Sequence, residues 1–107
     1  MLSSARRLRA VEVRETLVRG RSLRGAYLSV KFLKKDGSLR AAAVVSKKVA
    51  KTAVRRNSIR RALYTALRTA TLPENISAVF IVHTVPPRPL TEALRGDILQ
   101  ICSKHFS

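Results

Sequence analysis

Apolar positions follow one period in the middle of the chain and another on either side of it. In the stretch SKKVAKTAVRRNSIRRALYTALR, from Ser46 to Arg68, residues Ile59, Ala62, Leu63, Ala66, Leu67 and then Ala70 recur every three or four places. That is the stripe of a helix burying one face. A helix turns about 100° per residue, so Asn57, Arg61 and Arg68 fall almost opposite the stripe and Arg60 flanks them. Thr52 stands where an N-cap belongs, which places Arg55, Arg56 and Asn57 in the first turn and a half. Free N–H groups and the positive dipole end gather there, and cationic side chains work against that field. A segment shaped by folding alone would carry Asp or Glu at these positions. Arginine there points to an anion outside the protein, most simply phosphate.

Upstream, Leu8, Val11, Val13, Leu17 and Val18 predict a short helix from about Val11 that Gly20 ends. Glu12 and Glu15 lie near its N-terminal half, where negative charge is favourable. From Tyr27 to Leu33 the alternation is sharp: Leu28, Val30 and Phe32 on one side, Tyr27, Ser29 and Lys31 on the other, a half-buried strand. Asp36-Gly37 separates this run from Leu39 to Ser46 and predicts a tight hairpin joining the two. Ala41, Ala42 and Ala43 leave room for close packing, either of a helix on the inner face or of a ligand on the outer one. After the central helix, Leu72-Pro73-Glu74-Asn75 breaks the pattern. Ser77 to His83 is continuously apolar, which predicts an interior strand covered on both faces and parallel to a neighbour across the helical crossover. Pro86, Pro87 and Pro89 stiffen the next loop. Leu90, Leu94, Ile98, Ile101 and Cys102 predict a last helix from Thr91 to about His105 that caps the sheet. The order helix, two or three strands, helix, strand, helix describes a small α+β two-layer sandwich with a mostly antiparallel sheet. It forms one domain over residues 1–107, with 1–5 and 105–107 expected to be flexible.

Charge narrows the choice of partner. Net charge is +16, from 22 basic and 6 acidic residues in a chain of 107. The natural counterpart is a polyanion. No acidic residue occurs between Asp36 and Glu74, whereas Arg40, Lys47, Lys48, Lys51, Arg55, Arg56, Arg60, Arg61 and Arg68 all fall there. Nucleic acid fits better than a membrane surface, because no strongly apolar face of Trp, Phe and Leu accompanies the basic residues. Arg, which outnumbers Lys about two to one, suits bidentate phosphate contacts and stacking on bases. Lys34, Lys35, Arg88, Arg95 and Lys104 read as solvated surface charges. A single Cys102 excludes an intramolecular disulfide and a CxxC zinc site, and a reducing cytoplasm is expected. Met1-Leu2-Ser3-Ser4-Ala5 is too short and polar for a signal-peptide core, and no apolar run is long enough to span a membrane.

Catalytic constellations are not visible. Hydrolysing a phosphodiester generally needs paired carboxylates holding metal ions, or a His pair. Glu12 and Glu15 read as helix-dipole residues, Asp36 as a turn residue, Glu74 as a loop residue, and Glu92 and Asp97 as part of the last helix. His83 and His105 read as structural or solvated, and Cys102 as a small core hydrophobe. The four glycines form no phosphate-cradling motif. No catalytic residue, metal site or cofactor bound by the protein itself is expected.

The Ser46-Lys47-Lys48-Val49 approach, a short gap, and Arg56-Asn57-x-Ile59-Arg60-Arg61 opening a helix resemble the bacterial ribonuclease P protein subunit. Arg19-Gly20-Arg21-Ser22-Leu23-Arg24-Gly25-Ala26-Tyr27-Leu28 is similar to the approach to that family's first long strand. The order of elements agrees from residue 6 to about residue 104. Ser58 departs from the pattern, standing where the family usually has its second Arg. The resemblance implies a left-handed βαβ crossover through the central helix, against the general right-handed rule. It also implies a non-catalytic, RNA-binding subunit of an endonuclease that removes the 5′ leader of precursor tRNA, with magnesium ions in the RNA active site. Its partners would be the ribonuclease P RNA subunit and precursor tRNA, with no obligate protein partner. By motif match, Arg56, Asn57, Arg60 and Arg61 meet the RNA subunit, and Lys47, Lys48, Lys51, Arg55 and Arg68 extend that surface electrostatically. Val13, Leu17, Tyr27 and Lys31 are the candidates for a leader cleft. Val13 and Leu17 look to stand where the family offers aromatic side chains, and aliphatic groups forgo stacking worth about 1–3 kcal/mol per base. A small basic ribosomal or other structural RNA-binding protein is the alternative.

Overall fold

A computed structural model describes residues 7–35, 37, 39–69 and 74–105. Asp36, Ser38, Ala70, the Leu72-Pro73 break, the expected flexible end at 1–5 and the last two residues of the one expected at 105–107 lie outside the described residues; residue 105 closes the last helix. The elements are α1 (Ala10–Arg19), β1 (Arg21–Arg24), β2 (Leu28–Lys34), β3 (Arg40–Val45), α2 (Ala53–Thr69), β4 (Ile76–Val82) and α3 (Leu90–His105). This is the α+β arrangement that the hydrophobic pattern predicts, with one parallel strand pair in an otherwise antiparallel sheet.

The predicted hairpin is not the pairing that forms. Strand order is β1-β2-β4-β3, so β4 lies between the two strands that Asp36-Gly37 connects. It runs antiparallel to β2, with Val30 opposite Phe80, and parallel to β3, with Ala43 opposite Phe80. Burial explains the order: every residue of β4 except Ile81 is buried, and only an interior position hides both faces of such a strand. The connection instead spans β4 at its first residues. Asn75 donates its N–H to the Gly37 carbonyl, accepts the Lys35 N–H on its own carbonyl and accepts the Gly37 N–H on its side chain. Gly37 takes φ +106°, a conformation that favours glycine.

One face of the sheet carries the main core. Leu28 and Val30 of β2, Ala41 and Val45 of β3, and Ile76, Ala78, Phe80 and Val82 of β4 join Ile59, Leu63, Ala66 and Leu67 of α2 and Leu94, Ile98 and Ile101 of α3. Each fully buried Leu or Ile of this cluster contributes about 1.5–3 kcal/mol. Ala41 and Ala43 leave the space that α2 fills, so the helix is the close neighbour on that face. Tyr64, only 8 % exposed, is a buried member of α2 beyond the predicted stripe. Its hydroxyl accepts the Ala43 N–H at 3.3 Å, on the outer edge of β3, where among the described residues the backbone bridge from Arg7 and Leu8 reaches Ala41 and not Ala43. Burial pushes the Cys102 thiol above its ordinary range, in keeping with a side chain packed against the core.

The alternate residues of the sheet face α1. Lys31 donates to the Leu17 carbonyl at 3.1 Å, Arg40 pairs with Glu12, and Lys35 pairs with Glu15 at 2.6 Å. Thr16, fully buried, presses α1 inward and returns its hydroxyl to the Glu12 carbonyl. Gly20 ends the helix because of closeness: its backbone is extended, and a Cβ there would meet the carbonyl oxygens of Thr16 and Phe32.

At the seam between α3 and the sheet, Asp97 holds a tight turn. Its carboxylate accepts the N–H groups of Ala26, Tyr27 and Leu28 at 2.8, 2.9 and 3.0 Å, and the residue is 5 % exposed. A Cβ on Gly25 would lie 2.5 and 2.6 Å from the two carboxylate oxygens, so only glycine fits beside them. The Tyr27 carbonyl in turn accepts N–H bonds from His83 and Thr84.

Candidate nucleic-acid interface

The basic surface is built on the start of α2. Val49 and Ala50 close a turn onto the Ser46 carbonyl, presenting Lys47, Lys48 and Lys51 to solvent. Thr52 then caps the helix as its position predicts: its hydroxyl accepts the Arg55 N–H at 3.2 Å and its carbonyl accepts the Arg56 N–H. The apolar stripe fixes the roll of α2 on the sheet. Arg55, Asn57, Ser58, Arg61 and Arg68 are thereby exposed, with Arg56 and Arg60 half-buried at the flanks.

These side chains divide by what they touch. Arg56 donates one guanidinium nitrogen to the carbonyls of both Ala50 and Lys51 at 3.0 Å, bracing the loop that carries the lysines. Arg60 donates to the Asn57 side-chain oxygen at 2.7 Å, which leaves the Asn57 amide nitrogen outward as a donor. Asn57, Arg60 and Arg61 line a groove of about 360 Å³ with Tyr64 and Thr65. Among the described residues, the ion pairs are those of Lys35 and Arg40, and neither involves α2. The first turn of α2 contains no acidic residue. Its cations are therefore uncompensated within the described protein, each working against the dipole by about 0.3–1 kcal/mol where it lies in that first turn.

The second candidate group is more dispersed. Val13 and Leu17, four residues apart, share a half-buried side of α1, and the Lys31 ammonium reaches the Leu17 carbonyl. Tyr27 precedes β2 rather than opening it and packs half-buried against the core cluster. Lys31 spends one of its donors on the protein, with the others left for a ligand.

The helical pattern places Asp97 simply in the last helix, and nothing in that pattern signals that its carboxylate reaches three amides some seventy residues earlier. Arg95, read as solvated, ties α3 to α2 by donating to the Thr69 hydroxyl at 3.0 Å. His83 bonds through Nδ1 to Thr84 and its Nε2 is buried without a partner among the described residues. Among the described residues, no three His, Cys, Asp or Glu side chains gather as a metal site, and no helix is long and apolar enough to cross a membrane.

Comparisons with known proteins agree with this geometry. The family model described as Ribonuclease P matches residues 2–105. A ribonuclease P protein component from Pseudanabaena sp. (strain PCC 6903) is 36 % identical over 109 residues, covering 97 % of this chain and 94 % of that protein. Among solved structures, the RNase P protein from Thermotoga maritima superposes with a TM-score of 0.73 at 25 % identity, covering 92 % of this chain and 96 % of that one. A Staphylococcus aureus RNase P protein mutant shares the fold at a TM-score of 0.76 and 19 % identity, over 94 % of this chain and 87 % of that one.

Proposed function

We propose, from the premise that this chain belongs to the ribonuclease P protein family, that it is the non-catalytic protein subunit of a tRNA-processing endonuclease. It binds the RNA subunit through the basic face of α2 and assists removal of the 5′ leader from precursor tRNA. The observation that carries this reading is the exposed row Arg55, Asn57, Arg61 and Arg68, with Arg60 beside it, which no carboxylate among the described residues neutralises. A folded domain gains nothing from such a row, whereas an RNA strand satisfies it with phosphate.

Each residue then has a part. Arg61 and Arg55 offer guanidinium forks to phosphate, and Arg68 extends the track along the helix. Asn57, its oxygen held by Arg60, offers two N–H donors. Arg56 holds the Lys47, Lys48 and Lys51 turn in place and spends its remaining donors on RNA. Val13, Leu17, Lys31 and Tyr27 take the leader, by aliphatic contact and charge rather than by aromatic stacking from α1. The chemistry would be supplied by the RNA subunit, where magnesium ions would act as Lewis acids, and this chain's residues would bind and position the RNA.

Reconstitution tests this directly. Added to a bacterial ribonuclease P RNA at low magnesium, the chain is expected to accelerate release of the leader from precursor tRNA. No acceleration overturns the reading. Cleavage by the chain without RNA would replace it with an independent nuclease.

A further inference from the structure

The β4–α3 connection comes back to the first turns of α2, and the two elements enclose a small pocket of about 90 Å³. Ile59, Val85, Pro86 and Leu90 supply its apolar wall, and Arg55, Ser58 and Arg88 its polar rim. Ile59 and Pro86 are buried, whereas Arg55, Ser58, Arg88 and Val85 are exposed. No hydrogen bond or ion pair among the described residues engages the side chain of Arg55, Ser58 or Arg88. Two free guanidinium groups and a hydroxyl, contributed by elements distant in sequence, thus border one recess.

We propose that this recess seats a single phosphodiester of the RNA subunit, with Arg55 and Arg88 closing on the phosphate from opposite elements and Ser58 donating its hydroxyl. The proposal rests on the function inferred above and extends that contact surface from one helix to a second, independent wall. The recess, far below the roughly 300–1,000 Å³ of clefts that hold a drug-sized ligand, fits one phosphate-sized group, and the RNA strand proposed for the neighbouring α2 face would supply it. Charge decides which polymer, since two planar forks without a carboxylate suit phosphate oxygens. Arg55 belongs to both this rim and the open face of α2, so one strand can run from Arg61 across Asn57 into the recess. The small Ser58 side chain keeps the recess open; a longer side chain there would occupy the space between the two arginines.

Affinity for the RNA subunit, measured at one fixed low salt, reads the proposal out. Arg88→Ala is expected to weaken binding by roughly three- to tenfold, about 0.7–1.4 kcal/mol. Val85→Glu, which puts a carboxylate beside the recess without touching α2, should weaken it in the same range and carries the test should the Ala variant melt early. Arg55→Ala combined with Arg88→Ala should lose less than the product of the single losses, because both arginines hold one phosphate. The holoenzyme's affinity for precursor tRNA should not change, which separates the RNA subunit from the leader as the source of the phosphate. Wild-type affinity in both Arg88→Ala and Val85→Glu, alongside weakened binding in Arg61→Ala, would overturn the recess and leave the proposed function standing. Wild-type affinity in Arg61→Ala as well would overturn both.

Discussion

Around α1, the α3 seam and the entries to β3 and β4, acids meet partners: Glu12 holds Arg40 and the Arg9 amide, Glu15 holds Lys35, Glu74 accepts the Leu39 N–H, and Asp97 takes three amides. Along α2, by contrast, Arg55, Arg61 and Arg68 meet no acid among the described residues. The chain has only 6 acidic residues, and it places its engaged ones where they fasten elements together. Spending them on α2 would have stabilised the free helix and closed the surface. The difference teaches that the few carboxylates are spent on fastening elements together, while the α2 face proposed for the RNA subunit is left without them.

The contrast can be broken first at its stable side. Asp97→Ala leaves three amide donors without an acceptor at a buried seam and should cost about 3 kcal/mol in a urea melt, with Asp97→Asn costing less. On the open side, Arg60→Glu with Arg61→Glu should lower affinity for the RNA subunit on the order of a hundredfold, about 2.7 kcal/mol, at low salt. The melt of that variant should stay close to wild type, because neither side chain is tied to the core. Loss of stability instead of affinity would erase the distinction. Thr52→Ala removes the cap of α2 and should cost about 1 kcal/mol in the same melt.

The smallest effect sharpens the comparison through pH. The hydrogen bond and charge of Lys35 hold the Glu15 carboxyl below its ordinary 4.5. A lowered folded pKa means that the stabilisation is present above 4.5 and fades as pH falls through the folded value. The pair is exposed, so the contribution is small and screened by salt. A carboxyl NMR titration should place Glu15 below 4.5 and return it toward that value in Lys35→Met. An unmoved midpoint would remove the pair from the stable side.

Most helices were legible because their information is local. The stripe from Ile59 to Leu67, the Thr52 cap and the run from Leu90 to Cys102 each specify an element over a few turns. The sheet order was not, since Asp36-Gly37 is a local signal for pairing that a later strand overrides. Only the continuously apolar run from Ser77 to His83 signalled that β4 belongs inside, and nothing local told it to enter between β2 and β3. The basic face of α2 was readable from spacing alone. Arg56 as a brace, Tyr64 as an edge-strand partner and Arg88 beside Ser58 were not, because each depends on a neighbour that only the fold supplies.

The salt dependence of binding to the RNA subunit tests the central claim most directly. Plotted as log affinity against log salt, wild type and a variant with Arg60→Gln and Arg61→Gln should give lines of different steepness. The variant's slope should be shallower by up to about 0.9 for each phosphate it no longer neutralises. Parallel lines would contradict the claim that these guanidinium groups are held open for ribose-phosphate.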